Sequence, residues 1–320
     1  MAATNKDVLC AGIIVADHVC APIAHVPAAG ELVMTEQMIL TIGGCAANAA
    51  VDMSKMGLRP AIAGRVGDDA FGRIVKAMLE EHHIDTAAVK STPGKVTSQT
   101  MIVNVVGQDR RFIHIFGANA LFTAADIPLD HVRRCGVLYV GGYLVMPGLK
   151  QESLMPVFAA ARRAGAKVVL DVVTPGKADH LSQLDKLLPL VDVFLPNNDE
   201  GAAILGENDP LTQAESFHRM GADTVVITMG GEGAILVNDQ VRLHAGVFPI
   251  DFVDGSGGGD AFDAGYNYGL VKGLEAEECL RIASALGASC VRAIGTTPGV
   301  FTEPECQDFM GKNALKIKRI

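Results

Sequence analysis

The feature that most constrains the fold of this chain is the order of its apolar segments, which alternate between strand-like and helix-like patterns. Val8–Asp17 is a nearly continuous apolar run typical of a buried strand, and Cys45–Lys55 is a helical stretch that Gly57 ends. Pro60–Val66 is predicted as a second strand and Asp69–His83 as an amphipathic helix. This alternation predicts an α/β protein with a mostly parallel sheet and helices on both faces.

The same alternation returns in the second half of the chain. Strands are predicted at Val137–Tyr143, Lys167–Val173, Val193–Pro196, Thr224–Met229, Ala234–Val237 and Val241–His244. Helices are predicted at Gln151–Ala164, Leu211–Met220, Gly259–Lys272 and Glu275–Arg292. Because no repeat or long linker interrupts the pattern, we expect residues 1–320 to form a single α/β domain.

Two β-rich segments do not fit the alternation. Glu31–Ile42 is one, and the other is Val96–Val106 with Arg110–Phe116, which has the pattern of a hairpin whose turn runs from Gly107 to Asp109. We expect these strands to form a small separate sheet, within residues 18–42 and 96–117, that projects from the core as a lid. The arginines at the hairpin could meet an anionic group of a substrate, although a solvated hairpin end is the simpler account.

The composition excludes several classes of function. Hydrophobic residues make up 49% of the chain, which is enough apolar surface for a large core. The net charge is −9 and the basic residues are scattered, so neither nucleic acid nor a membrane surface is an expected partner. No uninterrupted apolar run reaches the ~18 residues of a membrane-spanning helix. The 7 cysteines form no C-x-x-C pair and Met1–Asp7 lacks a basic signal-peptide region, so we expect a cytoplasmic protein.

The strongest candidate site is the glycine-rich segment Asp254–Phe262, directly ahead of a helical run. Because glycine lacks a Cβ, Gly257, Gly258 and Gly259 would let an anion approach the N–H groups at the positive end of the helix. Asp260 would repel this anion unless it faces a substrate hydroxyl, from which it could take a proton. The arrangement suits phosphoryl transfer from ATP to an alcohol. The alternative is a flexible loop in which Asp260 only favours the helix dipole.

Three further segments carry weaker signals. Gly43 and Gly44 open the helix of Asn48, whose amide could bind a polyol, although Asn48 could also simply cap that helix. Asn197 to Glu200 follows a predicted strand, and its carboxylate and amide oxygens suit hydrated Mg²⁺. Thr228 to Gly233 follows another strand, where threonine and glycine suit contact with phosphate.

All four segments occur in the order and approximate spacing of the PfkB (ribokinase-like) carbohydrate kinases, and the resemblance extends over nearly the whole chain. The C-terminal signature of that family, Asp-Thr-Thr-Gly-Ala-Gly-Asp, resembles Asp254–Asp260. The resemblance implies a ribokinase-like three-layer sandwich, with a projecting β lid that often pairs with a second lid to form a homodimer. It also implies Asp260 as the catalytic base and Gly257–Gly259 as the anion hole.

The resemblance implies roles for residues elsewhere in the chain. Contacts to the sugar substrate are implied for Asp17, Gly43, Gly44, Asn48 and Asn119. Contacts to ATP are implied for Asn197, Glu200, Thr228, Gly230 and Gly233, with Mg²⁺ held through water by Glu200. In members that K⁺ activates, the ion lies beside the signature loop, where Asp254, Ser256 and the Ala293–Gly299 turn could house it.

The chain also departs from the family pattern. Gly255 and Gly258 replace the usual Thr and Ala, and an extra glycine costs ~0.5–1 kcal/mol of ordering relative to alanine, so we expect a looser but active loop. Ribokinase normally has Lys within the segment corresponding to Gly44–Asn48 and Glu on the strand corresponding to Tyr139–Tyr143. This chain has neither residue there, which argues against ribose.

Three functions are considered. The favoured one is an ATP-dependent kinase for a sugar or sugar derivative. A nucleoside kinase of the same fold is the first alternative, although a chain without Trp has little material for base stacking beyond Phe112, Phe116 and Phe122. The second alternative is a non-catalytic sugar-binding regulator, and the retained Asp260 argues against it.

Overall fold

The computed structural model describes residues 7–108, 110–176 and 178–320. Its largest feature is a ten-stranded sheet in the order β14-β13-β12-β11-β10-β9-β8-β1-β4-β5, with elements numbered along the chain. The strands of this sheet are β1 (Val8–Gly12), β4 (Pro60–Gly67), β5 (Asp85–Thr92), β8 (Val137–Gly141), β9 (Lys167–Leu170), β10 (Val193–Phe194), β11 (Thr224–Thr228), β12 (Ala234–Asn238), β13 (Arg242–Ala245) and β14 (Ile317–Arg319). From β11 to β5 the strands pair in parallel, and β12 to β14 pair antiparallel at one edge. The predicted mostly parallel sheet is confirmed.

Helices cover both faces of this sheet. They are α1 (Cys45–Lys55), α2 (Ala70–Glu81), α3 (Leu129–Val132), α4 (Gln151–Arg163), α5 (Asn198–Leu205), α6 (Pro210–Arg219), α7 (Gly258–Val271), α8 (Ala276–Cys290) and α9 (Glu303–Lys312). Along β1, Val8 and Cys10 pack in one core with α1, α7 and α8, whereas Leu9 and Ala11 pack in a second core with α4 and α6. The chain is therefore a three-layer sandwich, as predicted. Among the described residues, no helix is long and apolar enough to cross a bilayer.

Four further strands form a separate sheet, which we call the lid. They are β2 (Val15–Cys20), β3 (Met38–Gly43), β6 (Gln99–Val103) and β7 (Arg111–Ile115), in the order β3-β2-β6-β7. β2 pairs with β6 in parallel, and the other two pairings are antiparallel. The predicted small sheet is confirmed, although β2 begins before residue 18. Asp109 of the predicted turn and Met1 to Lys6 of the predicted polar start lie outside the described residues.

The prediction of one strand over Val8–Asp17 is wrong, because the chain changes sheets within this segment. β1 ends at Gly12, whose φ is 152° and whose missing Cβ leaves room for a carbonyl oxygen at the end of β8. Asn119 then holds the link: its Nδ2 donates to Ile14 O at 3.0 Å, and its Oδ1 accepts from Ile14 N at 3.4 Å. As a result, Asp17 lies in the lid and not at the end of a core strand.

Other elements differ from prediction in length. β3 begins at Met38 and not at Glu31, because the preceding residues are exposed and irregular. β8 ends at Gly141, since Gly142 takes a left-handed conformation with φ 76°. β9 and β10 are shorter than predicted as well. The elements α3, α5, β5, α9 and β14 have no counterpart among the predicted elements. Each is short or lies at an edge or surface where polar residues break the apolar pattern.

Candidate active site

The candidate site lies where α7 begins, at the carboxyl ends of the parallel strands. Gly257 precedes α7 with φ 76°, and a Cβ there would overlap the carbonyl oxygen of Thr296, so this position requires glycine. Gly258 and Gly259 open the helix, and Asp260 lies in its first turn. The first N–H groups of a helix lack intrahelical partners and carry its positive end, so this segment can bind an anion.

Asn48 orients the Asp260 carboxylate. Its Nδ2 donates to Asp260 Oδ2 at 2.7 Å, across the contact between α1 and α7. Burial raises the pKa of Asp260, whereas hydrogen bonds from Asn48 and from the Cys45 thiol oppose the rise. The Asp260 carboxylate is therefore held in one orientation, in which it can still accept a proton.

Asp17 lies on the lid side of the site. It is 5% exposed and pairs in register with Thr41 and Thr100 on the neighbouring strands. Its carboxylate fills the space that a Cβ of Gly43 would need, which explains the glycine there. Burial raises the pKa of Asp17 to about 6; a hydrogen bond with Thr100 opposes this rise and the charge of Asp260 adds to it. The two carboxylates therefore interact across a common region.

Two buried acceptor atoms in this region have no hydrogen-bond donor among the described residues. They are Oδ1 of Asp17 and Oδ1 of Asn48. Gly44, with φ 90°, turns the chain from β3 into α1 and so presents Asn48 here. Because a buried unpaired acceptor costs about 1–3 kcal/mol, these atoms are suited to accept hydrogen bonds from a ligand.

Two residues that the sequence reasoning missed complete the acidic side of the site. Asp171 directly follows β9, and its Oδ2 accepts from Gly142 N at 2.8 Å. The ligand-type atoms of Cys45, Asp171 and Asp260 lie within 4.8 Å of one another. Burial raises the pKa of Asp171, and the charges of Glu200 and Asp260 raise it further. A carboxylate at the end of a buried strand was the available signal for Asp171, whereas no sequence pattern pointed to the contact that Cys45 makes with Asp260.

The segment after β10 forms a capping box at the start of α5. Asn197 Oδ1 accepts from Glu200 N at 2.8 Å, and Glu200 Oε2 accepts from Asn197 N at 2.9 Å. Burial raises the pKa of Glu200 to about 7, and the charges of Asp260 and Asp199 contribute to the rise. Glu200 therefore belongs to the same acidic cluster as Asp260, while the Asn197 side chain is used at the start of the helix.

The strand end after β11 adjoins this segment. A parallel backbone bridge joins Asn197 to Thr228. Gly230 and Gly233 follow with φ of 53° and 93°, and a Cβ at Gly233 would overlap the carbonyl oxygen of Ala245. The residues predicted to contact the nucleotide are thus brought together beyond the carboxyl ends of β10 and β11.

Asp254 and Ser256 brace the glycine loop. Asp254 Oδ1 accepts from the N and Oγ of Ser256 at 3.0 and 2.9 Å, and its Oδ2 accepts from Gly295 N at 3.0 Å. Asn119 is placed differently, because its amide is occupied by the backbone of Ile14. Its side chain positions the start of the lid, and its contact with substrate stays a prediction.

Comparison with known proteins gives a consistent family match. The family described as pfkB family carbohydrate kinase matches residues 5–302. The chain is 25% identical over 314 residues to the ribokinase of Haemophilus influenzae, which is 96% of this chain and 99% of that protein. It is 28% identical over 252 residues to an uncharacterized sugar kinase of Archaeoglobus fulgidus, with 78% of this chain and 97% of that protein covered.

Solved structures share the fold. The Arabidopsis thaliana ribokinase complexed with ribose and ATP has a TM-score of 0.81 at 24% identity, covering 96% of this chain and 99% of that one. A putative ribokinase II from E. coli in complex with ATP and Mg²⁺ has a TM-score of 0.80 at 19% identity, with the same coverage of 96% and 99%. These likenesses establish the ribokinase-like arrangement of the sheet, helices and lid.

Proposed function

The chain belongs to the pfkB family of carbohydrate kinases, and on that premise we propose that Asp260 is the catalytic base of a sugar kinase. The enzyme transfers the γ-phosphoryl group of ATP to a hydroxyl of a sugar or sugar derivative. Asp260 takes the hydroxyl proton as the acceptor oxygen bonds to the γ-phosphorus. The bond from that phosphorus to the β–γ bridging oxygen breaks, and ADP leaves. The hydrogen bond from Asn48 supports this role, because it holds the Asp260 carboxylate in one orientation.

We propose that the glycine loop is the anion hole. The N–H groups of Gly257, Gly258 and Gly259 point charge-stabilising donors at the phosphoryl group in flight, at the positive end of α7. The left-handed conformation of Gly257 supports this role, since it brings the backbone into the helix start without a side chain in the way. The Gly258 N–H donates to Gly255 O at 3.4 Å, a long hydrogen bond that it would exchange for one to the phosphoryl group.

The observation that carries the substrate proposal is the pair of unpaired buried acceptors, Asp17 Oδ1 and Asn48 Oδ1, beside Asp260. Hydroxyl groups of a polyol would supply both missing donors and would bring a further hydroxyl to the base. Gly43 leaves the room that the Asp17 carboxylate occupies, and Gly44 leaves room for the backbone of Ile13. We therefore place the sugar between the lid residue Asp17 and the core residue Asn48.

The electrostatics favour an uncharged acceptor. Asp17 and Asp260 are both buried, and the charge of Asp260 helps to raise the pKa of Asp17, so the two carboxylates interact across the space in which the sugar would lie. A phosphate or carboxylate on the acceptor would be repelled by these two carboxylates. A neutral sugar avoids that repulsion.

The nucleotide is proposed to bind along the ends of β10 and β11, at Asn197, Thr228, Gly230 and Gly233. The residues present fit Mg²⁺: burial raises the pKa of Glu200 and of Asp171, the charge of Asp260 raises both further, a divalent cation would offset that repulsion, and carboxylates are its preferred ligands. We assign Glu200 to hold it through water. When bound, Mg²⁺ neutralises phosphate charge.

The alternatives receive less support. A nucleoside kinase would need aromatic stacking, yet Phe122 is fully buried in the core, which leaves Phe112 and Phe116 on the lid. A non-catalytic binding protein would not need the hydrogen bond that fixes Asp260. The comparisons do not favour either alternative over a sugar kinase.

We also propose a homodimer formed through the lid and a cytoplasmic location. The outer face of the lid exposes Met38, Met101, Ile113 and Ile115, which supports association with a second apolar sheet. The cysteines of the described residues are free thiols, which supports a reducing compartment.

The test is an ATP-consumption assay with Mg²⁺ and three acceptor panels: neutral sugars and polyols, nucleosides, and sugars that carry a phosphate or carboxylate. We expect turnover with a neutral sugar and kcat/KM at least ~10-fold lower for its phosphorylated or carboxylated analogue. Preference for an acidic sugar would contradict the uncharged acceptor. Absence of turnover in all panels, with sugar binding retained, would indicate a binding protein.

A further inference from the structure

Arg110 connects the lid to the glycine loop. It immediately precedes β7, and its Nη1 donates to Ser256 Oγ at 2.8 Å and lies 3.5 Å from Asp254 Oδ1. The Asp254 side chain is 5% exposed and the Arg110 side chain 28%. The neighbouring Arg111 instead donates to Gln108 on its own hairpin. One guanidinium of the lid therefore reaches the loop that precedes α7.

Gly255 makes room for this contact. A Cβ at position 255 would lie 3.4 Å from Arg110 Nη2, and the two further atoms of a threonine, the usual residue of the signature, would compete with the guanidinium for the same space. Arg110 Cζ also lies 5.6 Å from the centroid of the Phe112 ring, a cation–π contact within the lid. The glycine at position 255, where the family signature has threonine, therefore accommodates the Arg110 guanidinium.

The oxygens that the family resemblance offers to K⁺ are already used within the chain. Asp254 accepts from Ser256 and Gly295, and Ser256 Oγ accepts from Arg110. The backbone oxygens of Ser256 and Thr296 accept from the Cys290 thiol at 3.2 and 3.1 Å. A K⁺ ion at these oxygens would lie beside the Arg110 guanidinium, whose positive charge would repel it. The residues present therefore do not fit a monovalent cation.

We propose that Arg110 is a positioning residue that takes the place of a monovalent cation beside the glycine loop. Its charge balances the buried Asp254, and its hydrogen bond to Ser256 holds the loop in the conformation that presents the N–H groups of Gly257 to Gly259. Because Arg110 belongs to the lid, this contact couples the conformation of the loop to the position of the lid. The proposal rests on the proposed kinase function.

The first experiment measures the response of the wild-type enzyme to K⁺. Turnover and melting temperature in the presence of Mg·ATP are compared in tetramethylammonium chloride, NaCl and KCl, each at 100 mM and with K⁺-free ATP. We expect kcat to change by less than ~2-fold and the melting temperature to be the same in all three salts, because the cationic position is filled. A 10-fold activation by KCl, or a rise in melting temperature specific to KCl, would overturn the proposal.

The second experiment compares Arg110→Ala with Arg111→Ala, which removes an arginine of the same hairpin without touching the loop. Arg110→Ala is expected to lose ~10- to 100-fold in kcat with a smaller change in sugar KM, since the anion hole is no longer held in place. Addition of ethylguanidinium or KCl to Arg110→Ala should restore part of the rate. Such rescue would not be expected if the substitution only damaged the fold. Arg110→Lys, which keeps the charge, should lose less. Equal rates for the two alanine variants would overturn the proposal.

Melting temperatures test the role of Arg110 independently of whether the protein is a kinase. If the wild-type protein phosphorylates no acceptor, the proposed function fails. The positioning role is then judged by stability alone: KCl should stabilise Arg110→Ala and leave the wild type and Arg111→Ala unchanged. Stabilisation of all three proteins by KCl, or of none of them, would contradict the role of Arg110.

Discussion

At the residue scale, one hydrogen bond joins the proposed base to the proposed sugar contact. Asp260→Asn keeps the size of the side chain and its contact with Asn48 but cannot accept a proton. We expect turnover to fall at least ~10²-fold with little change in ATP affinity. Steady-state rates and calorimetric ATP binding measure the two effects. Unchanged turnover would remove Asp260 from the mechanism.

Asp17 predicts a dependence of stability on pH. Burial raises its pKa from 3.8 to about 6 in the folded protein, so the folded state binds the proton more tightly than the unfolded state does. Its contribution to stability is therefore fully present at low pH and is lost as the pH rises from about 4 to about 6. Asp17→Asn should raise the free energy of unfolding at pH 8 by ~1–3 kcal/mol while impairing sugar phosphorylation.

Urea unfolding at pH 5, 6 and 8 measures this effect. The comparison is with Asp308→Asn, which alters an acid on α9 whose side chain is 63% exposed. The difference in unfolding free energy between wild type and Asp17→Asn should grow with pH, and that for Asp308→Asn should stay near zero. A constant difference for Asp17→Asn would mean that its carboxylate does not titrate in this range.

How much of the site was predictable depended on where each residue lies relative to a motif. Asp260, Asn48 and Glu200 belong to short segments whose residue types already suggest phosphate, polyol or Mg²⁺ binding. The structure brings the three residues into one cluster. Asp171 carries only the weak signal of a carboxylate in a buried strand segment, and no local pattern links Arg110 to the glycine loop. Their roles depend on which strand end or loop lies beside them after folding, and that information is spread over distant parts of the chain.

At the element scale, the start of α7 depends on one left-handed glycine. Gly257→Ala would place a Cβ against the carbonyl oxygen of Thr296 at φ 76°. We expect a loss of at least ~1–2 kcal/mol of stability together with weaker phosphoryl transfer. Gly311→Ala in α9 is the matched control, because a Cβ there meets nothing within 4 Å. Thermal unfolding and initial rates of both variants decide; equal melting temperatures would contradict the steric account.

The elements also show why sequence patterns predicted the layers better than the connections. Parallel core strands are continuous apolar runs, and most of those predicted are present. The run Val8–Asp17 crosses from one sheet to another without any change in hydrophobicity, so composition could not reveal the break. Gly12 was the only local signal of this break. The hydrogen bonds that fix the chain there come from the side chain of Asn119, over a hundred positions away.

At the scale of the whole molecule, the outer face of the lid should govern assembly. Met101 and Ile113 pair in register and are 49% and 67% exposed, on the face opposite Asp17. Replacing both with Asp should convert the proposed dimer into a monomer, because burying two carboxylates in an apolar interface is costly. Sedimentation velocity gives the mass and circular dichroism checks the fold. A wild-type monomer would contradict the dimer.

We propose that the core sandwich unfolds as one unit, in keeping with the single domain expected over residues 1–320. The ten-stranded sheet runs without interruption from β14 to β5 and is packed on both faces. Calorimetry should show a single transition whose calorimetric and van't Hoff enthalpies agree. Two separate transitions would indicate independent units.

The change of sheets within the first apolar run has a chemical consequence for a kinase. Asp17 is carried by the lid and Asp260 by the core, so a sugar that contacts both, as we propose, would join two separate parts of the fold. Under that proposal, binding of the acceptor would hold the lid against the core while the phosphoryl group is transferred.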